Sequence, residues 1–359
     1  MDRKHRAAII ACGNIARLAH LPAYRKIPSV ELVAGVDVSP EIRATWEGEL
    51  GVPRMYADPV EMLERERPDI VSICCWPPLR PELTELAADA GVRAILAEKP
   101  FAVDTAGVDR MMAAAKRNGT LLVVGHQRRY HSRYVAARRI IDSGDIGEVV
   151  EVVGLSGTPE RGSDMLTGGT HTVDAVRFLA GDSPVEWVIG QIDRRDPGFT
   201  NAPVGLQQWE QTGKRYGHNV ETGAFGLIHF SSGVRGTIEN GIVGRRPGWA
   251  AIVYGSEGMI YVAPDRPGEG EPWVRARLKD RADWYLPEVV PNDPFQAEIE
   301  AMIDVLENGG THPLGAEAAR EVHLVAMAMY ESSRRRARVD FPFEVSESPL
   351  EQLIEAGQI

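Results

Sequence analysis

The sequence predicts two domains: a doubly wound α/β domain with a parallel sheet over residues 1–125, and an α+β domain with a large open, mostly antiparallel sheet over 126–359. Three observations carry this. A chain of 359 residues is long enough for two domains of ordinary size. Over the first part, apolar runs without polar alternation take turns with helical stretches, the pattern of parallel strands buried on both faces. After Arg139–Asp142 the strand patterns lengthen and follow one another directly.

The elements follow in order. "AAIIA" (Ala7–Ala11) is the first strand and "VELVAGVDV" (Val30–Val38) the second. Ser39-Pro40-Glu41 then reads as a helix start, with a capping hydroxyl, proline at the first helical position and an acid in the first turn. Asp58-Pro59-Val60-Glu61 repeats that signature. "DIVSICC" (Asp69–Cys75), "RAILAEK" (Arg93–Lys99) and "TLLVVG" (Thr120–Gly125) are further strands, with helices such as Val108–Arg117 between them. Right-handed crossovers make this one parallel sheet. Beyond the boundary near Gly125, two hairpins turn at Ser231-Ser232-Gly233 and Gly255-Ser256-Glu257-Gly258. Helices over about Pro294–Glu307 and Gly315–Ser332 are expected to cover one face of the second sheet.

Composition excludes several function classes. Hydrophobic residues make up 43% and charged residues 25%, a globular balance. A net charge of −11 repels phosphate backbones, so no nucleic-acid partner is expected. No apolar run reaches the ~18 residues of a membrane helix, and the short N-terminal one reads as a cytosolic first strand. Cys12, Cys74 and Cys75 have no metal spacing and form no disulfide framework, so reduced core thiols and no metal site are expected.

The chemistry of the first domain starts at "AIIACGNIARLAH". The fingerprint for dinucleotide phosphates puts glycines where the backbone meets the pyrophosphate at a helix N-terminus. Here Ala11, Gly13 and Ala16 hold those positions, so only the middle glycine is kept. Asp37, at the end of the second strand and at the expected spacing, strengthens the reading, because an acid there grips the ribose hydroxyls of NAD and repels the 2′-phosphate of NADP. The plain alternative is a tight turn at Gly13 and an aspartate that opens the next helix.

"AILAEKPFAVD" (Ala94–Asp104) ends a strand at the carboxyl edge of the parallel sheet, where open α/β folds bind ligands. Pro100 holds Lys99 extended, so Lys99 is expected beside the cofactor rather than on a solvated helix. The alternative is a surface pair with Glu98. The Lys99–Pro100 bond is a candidate for cis.

"GNIA", Asp37, "CCWPP" (Cys74–Pro78), "AEKP", "GHQRRY" (Gly125–Tyr130) and "GGTHTVDAVRFLAG" (Gly168–Gly181) together resemble the glucose–fructose oxidoreductase and inositol dehydrogenase (Gfo/Idh/MocA) family. The resemblance implies a Rossmann domain that binds NAD(P), with sugar or cyclitol chemistry between the domains. It implies that Cys12, Gly13, Asn14, Ile15, Asp37, Trp76, Pro77, Glu98 and Lys99 hold NAD. Lys99 would be the working lysine and His171 the proton acceptor; histidine titrates in the right range for that task. Arg128 and Asp174, three residues from His171 on a helix, are substrate candidates. Many relatives carry an aspartate four residues before the histidine, where this chain has Thr167; Asp164 could take its place. Arg80 departs from a histidine often found there and is given no role. In the long stretch Gln191–Val220, Arg215, Tyr216 and His218 suit a sugar, or else form a surface excursion.

The main expectation is therefore a cytoplasmic, NAD-dependent oxidoreductase for a sugar, sugar acid or cyclitol, assembled as a homodimer or homotetramer through the open sheet face. Two alternatives share the scaffold: a catalytically weak NAD(P)-binding sensor, and a glycosidase or lyase assisted by NAD.

Overall fold

The computed structural model describes residues 4–157, 164–194, 214–215, 218–241, 248–265 and 270–359. It divides into two units, Met1–Gln127 with Asp293–Arg320 and Arg128–Asn292 with Glu321–Ile359.

The first unit is built on six strands: β1 (His5–Ile10), β2 (Val30–Val36), β3 (Met55–Tyr56), β4 (Ile70–Ile73), β5 (Ala94–Ala97) and β6 (Leu121–Val124). They lie in the order β3-β2-β1-β4-β5-β6, with every pair parallel. This is the order of a doubly wound dinucleotide-binding sheet, and its direction reverses between β1 and β4. Helices α1 (Leu21–Lys26), α2 (Pro40–Gly48), α3 (Pro59–Glu66), α4 (Arg80–Asp89) and α5 (Thr105–Asn118) link the strands. Two start as the sequence indicates: Ser39 Oγ accepts the Ile42 amide at 3.2 Å, and Asp58 Oδ1 accepts the Val60 amide at 2.8 Å. Ala8, Ile9, Val71 and Ile95 are wholly buried, which explains the absence of alternation in their strands.

The second unit holds an eight-stranded sheet. Its strands are β7 (Val149–Gly157), β8 (Val185–Asp193), β11 (Gly223–Phe230), β12 (Arg235–Gly241), β13 (Gly248–Gly255), β14 (Met259–Val262), β15 (Val274–Arg277) and β16 (Val339–Asp340). Short β9 (Lys214–Arg215) and β10 (His218–Asn219) pair separately. The order is β15-β14-β13-β7-β12-β11-β8-β16, antiparallel except for the β7–β12 pair. Both expected hairpins form, β11–β12 and β13–β14. Helices α6 (Ser132–Asp142) and α7 (Thr170–Leu179) belong to this unit, and α8 (Pro294–Asn308), α9 (Ala316–Arg335) and α10 (Pro349–Glu355) come later in the chain.

One face of this sheet is covered and one is open. A Cβ on Gly190 would lie 2.7 Å from the Met329 Cα, so only glycine lets α9 press flat on β8. On the opposite alternation, Ile189, Phe225, Leu227 and Tyr254 stay exposed, Phe225 by 50%.

The expected single cut near Gly125, with both late helices on the second sheet, is corrected at α8. That helix belongs to the first unit: Lys26 pairs with Asp293 at its cap at 2.8 Å, and His5 reaches Glu307 at 2.9 Å. A helical period shows which face is buried but not which sheet it meets.

Candidate functional site

In the first unit the chain leaves β1 through Ala11, which takes a left-handed φ of 68°. That is a conformation glycine adopts without strain, and it makes the turn the fingerprint requires. Next, the Cys12 amide donates to Asp37 Oδ2 at 3.0 Å, while Asp37 Oδ1 accepts the Ser39 amide at 2.9 Å. The half-buried acid after β2 therefore touches the loop after β1. A Cβ added to Gly13 would meet nothing within 4 Å. The backbone there faces open space, as a cradle for phosphates needs. A π-helical turn, Ala16–His20, follows and leads into α1; such turns are frequent at functional sites. Ile15, Val38, Trp76 and Leu79, at the carboxyl ends of β1, β2 and β4, are exposed apolar side chains, Trp76 by 62%. These features fit a dinucleotide: an open glycine, an acid held beside the glycine loop and uncovered apolar surface for flat rings. Of this group the sequence singled out Gly13, Ile15, Asp37 and Trp76; Val38 and Leu79 were not singled out, because an exposed apolar residue has no periodic signal.

Beyond β5 lies the E-K-P triplet. The Lys99–Pro100 bond is cis. Glu98 is buried, with 4% exposure, and its carboxylate accepts His20 Nε2 at 3.0 Å and the Lys99 amide at 3.1 Å. Burial alone favours the neutral acid, but His20, Lys99 and Arg80 hold Glu98 below the usual carboxylate range. Arg80, assigned no role from the sequence, is 1% exposed and clamps this loop. It donates to the Cys75 carbonyl at 2.6 Å and to the Pro100 carbonyl, tying the segments after β4 and β5 together. Burial, as expected, leaves Cys12, Cys74 and Cys75 as core thiols, all held above their ordinary range.

In the second unit another π-helical turn, Met165–Gly169, runs into α7. Asp164 caps it: Oδ1 accepts the Thr167 amide at 2.7 Å. His171 lies in the first turn of α7, 3% exposed, edge-on to the Trp249 ring at 5.9 Å between centroids. Trp249 Nε1 donates to the Gly168 carbonyl at 3.0 Å, and the Arg128 guanidinium lies 3.6 Å over the same ring. Arg128 forks onto Asp265 at 2.8 and 3.0 Å, and Arg133 reaches the same carboxylate. Burial works against charge on Asp265, yet the two arginines hold it below its ordinary range. Trp249 thus carries the Arg128 guanidinium over its ring and His171 in a T-shaped contact. Trp249 was missed by the sequence reading; no local pattern links it to "GGTH".

Asp174 is placed differently from the substrate role assigned to it. It is 1% exposed, and its carboxylate takes two hydrogen bonds from Arg129, at 3.2 and 2.5 Å. His218 is 5% exposed in β10, and Tyr216 lies outside the described residues. Among the described residues no cluster of His, Cys, Asp and Glu could hold a metal, and no helix is long and apolar enough to cross a membrane.

Beneath the π-turn, Glu221 is buried, accepts the Met165 amide and takes the Tyr330 hydroxyl at 3.0 Å. Burial, then the charge of Asp164, push it up to about 8 from an ordinary 4.5. A carboxyl raised on folding gives stability that is whole below pH 4.5 and is lost as pH rises to about 8. Glu221→Gln is expected to flatten that decline in denaturant melts taken across this range. Parallel wild-type and variant curves would show that Glu221 is ionised throughout.

Residues 5–126 match a family model described as an oxidoreductase family with an NAD-binding Rossmann fold, and residues 134–261 match the GFO/IDH/MocA C-terminal domain. The chain is 25% identical to a myo-inositol 2-dehydrogenase of Thermotoga maritima, over 93% of this chain and 98% of that protein. It is 35% identical to a D-apiose dehydrogenase of Paraburkholderia graminis, but over 50% of this chain and only 51% of that one. Among solved structures, an aldose-aldose oxidoreductase from Caulobacter crescentus superposes with a TM-score of 0.79 at 23% identity, covering 94% of this chain and all of that one, 100%. An oxidoreductase from Agrobacterium radiobacter, in complex with NAD+, L-tartaric acid and magnesium, gives 0.78 at 19% identity, over 94% and 98%.

Proposed function

The chain belongs to the GFO/IDH/MocA oxidoreductase family, with its NAD-binding Rossmann fold, and on that premise we propose that it moves a hydride between NAD and a hydroxyl-bearing carbon of a sugar, sugar acid or cyclitol. The observation that carries this reading is the E-K-P triplet: Lys99 leaves the carboxyl end of β5 with its amide anchored on Glu98. Bound nicotinamide supplies the hydride acceptor. Lys99 hydrogen-bonds the reacting oxygen and stabilises negative charge as it develops there. His171 takes the hydroxyl proton, held by Trp249 at its ring edge. Arg128 and His218 are proposed to meet other substrate hydroxyls. Incubation with NAD and a panel of aldoses, aldonic acids and inositols tests this: NADH forms in proportion to substrate consumed. Tight NAD binding with no turnover on any panel member would favour the sensor reading, for which Thr167 in place of an aspartate is the supporting feature.

Asp37 favours NAD over NADP, because its carboxylate lies on the Cys12 amide where a 2′-phosphate would be repelled. NAD(H) is expected to bind at least about tenfold more tightly, about 1.4 kcal/mol. Asp37→Ser should narrow the gap in fluorescence titrations. Tighter NADPH binding by the wild type would overturn this assignment.

Assembly through the open sheet face is the companion proposal. Ile189 and Leu227 stand opposite each other on it, with Phe225 two residues along the same strand, all three exposed. An exposed apolar cluster on an uncovered sheet face commonly marks a protein interface. Light scattering at micromolar concentration should give a dimer or tetramer mass, and Leu227→Asp should lower it. A monomeric wild type would contradict the proposal.

A further inference from the structure

The π-turn and α1 carry a buried polar chain that the proposed mechanism does not yet use. Tyr24, Ser72, His20 and Glu98 are 1%, 0%, 0% and 4% exposed. The Tyr24 hydroxyl lies 2.7 Å from Ser72 Oγ, Ser72 Oγ lies 3.1 Å from His20 Nδ1, and His20 Nε2 lies 3.0 Å from Glu98 Oε1. The other carboxylate oxygen takes the Lys99 amide at 3.1 Å. One set of protons satisfies every link. Tyr24 donates to Ser72, Ser72 donates to Nδ1, and the Nε2–H donates to the carboxylate. The tautomer of His20 is thereby fixed by its second nitrogen, as it is for histidines that orient functional groups.

We infer that His20 is a positioning residue for Lys99: it fixes the Glu98 carboxylate, which in turn fixes the lysine backbone at the carboxyl edge of the sheet. The inference rests on the reading of Lys99 as the group that meets the reacting oxygen. Two observations separate positioning from proton transport and from plain packing. The chain runs from Glu98 inward to Tyr24, 1% exposed, so it leads a proton into the core rather than to solvent. And an apolar core would fill this space at lower cost, since each buried polar group must be matched by a partner. The sequence places a histidine and a tyrosine on one helical stretch and a serine on β4, and together they form one chain that ends on the Glu98 carboxylate. His20 donates to one oxygen of Glu98 while the other takes the Lys99 amide, so His20 fixes the carboxylate from the side away from the lysine. His20 is fixed from one side by Ser72 and packs its ring on Phe295 at 5.7 Å between centroids.

Two substitutions split the possibilities. His20→Phe keeps the ring and its contact with Phe295 but removes both hydrogen bonds. His20→Gln loses the ring but can still accept from Ser72 and donate to Glu98. Positioning predicts that His20→Phe lowers kcat on the order of tenfold, with NAD affinity within about threefold of wild type. It predicts that His20→Gln restores turnover to within about threefold. In a Lys99→Met background, His20→Phe should cost nothing further, since the group it positions is gone. If His20→Phe turned over like the wild type, if His20→Gln fell as far as His20→Phe, or if the loss persisted in the Lys99→Met background, the inference would be wrong while the lysine reading stood. Full turnover by Lys99→Met alone would sink both. Should His20→Phe not fold, Ser72→Ala serves instead: it unsets the tautomer and is expected to lower kcat about threefold, again only when Lys99 is present.

Discussion

Lys99→Met is expected to lower turnover by roughly 10²-fold or more while leaving the NAD dissociation constant within about threefold of wild type. The two measurements report different things. Lys99 lies two residues beyond the end of β5, and its amide donates to the Glu98 carboxylate. Methionine preserves the length and apolar stem of the side chain and leaves that amide bond intact, so the loop stays in place. What is lost is the positive charge and its hydrogen bonds. If those act on the alkoxide as it forms, the loss appears in kcat and equally in kcat/KM. If Lys99 instead helped to hold the cofactor, the NAD affinity would fall and saturating NAD would restore the rate. His171→Ala should give a comparable loss with a second signature, a changed pH profile of the rate, because the group that takes the hydroxyl proton is gone. Full turnover by Lys99→Met on the true substrate would show that the E-K-P lysine has no part in the reaction here.

The sequence was most informative where one residue type serves one backbone need. Continuous apolar runs marked all the main strands of the parallel sheet, because strands covered on both faces leave no polar alternation to confuse the pattern. Ser39 and Asp58 marked helix starts through their own caps. Gly13 and Asp37 could be paired because the loop after β1 and the end of β2 always meet in this topology. The same reasoning failed where the relevant contact is distant in sequence. Arg80 in "PPLRPE" was given no role, yet it is buried and bound to two carbonyls, one of them twenty residues on. Trp249 and His171 are also far apart in the chain, and only the sheet register brings β13 under the π-turn. Helix α8 shows the limit most plainly: its period was right and its partner was not, since Ile299, Met302 and Ile303 would bury equally well on either sheet.

Asp174→Asn is expected to cost about 3 kcal/mol of stability and to lower the melting temperature by about 10 °C. Sequence reasoning offered Asp174 to the substrate, because it shares a helix face with His171. In the fold its carboxylate faces Arg129 instead. Both side chains are almost wholly buried, at 1% and 3% exposure, and two hydrogen bonds join them. Burial opposes charge on the guanidinium, but Asp174 and then Asp182 raise it above its ordinary range. Removing one charge of such a pair leaves the other uncompensated in a poor solvent, and that penalty exceeds the value of the pair itself. Asp182 remains at 3.1 Å and is 41% exposed, so it compensates in part; the cost therefore belongs at the lower end of the usual 3–5 kcal/mol. Asparagine keeps the shape and one acceptor, so packing is spared and the charge is isolated as the cause. The readout separates the two roles. A structural pair gives a lower melting temperature with KM for substrate unchanged at a temperature where the variant is folded. A substrate group gives the reverse, an unchanged melting temperature with KM raised. An unchanged melting temperature would overturn the structural assignment of the Arg129–Asp174 pair.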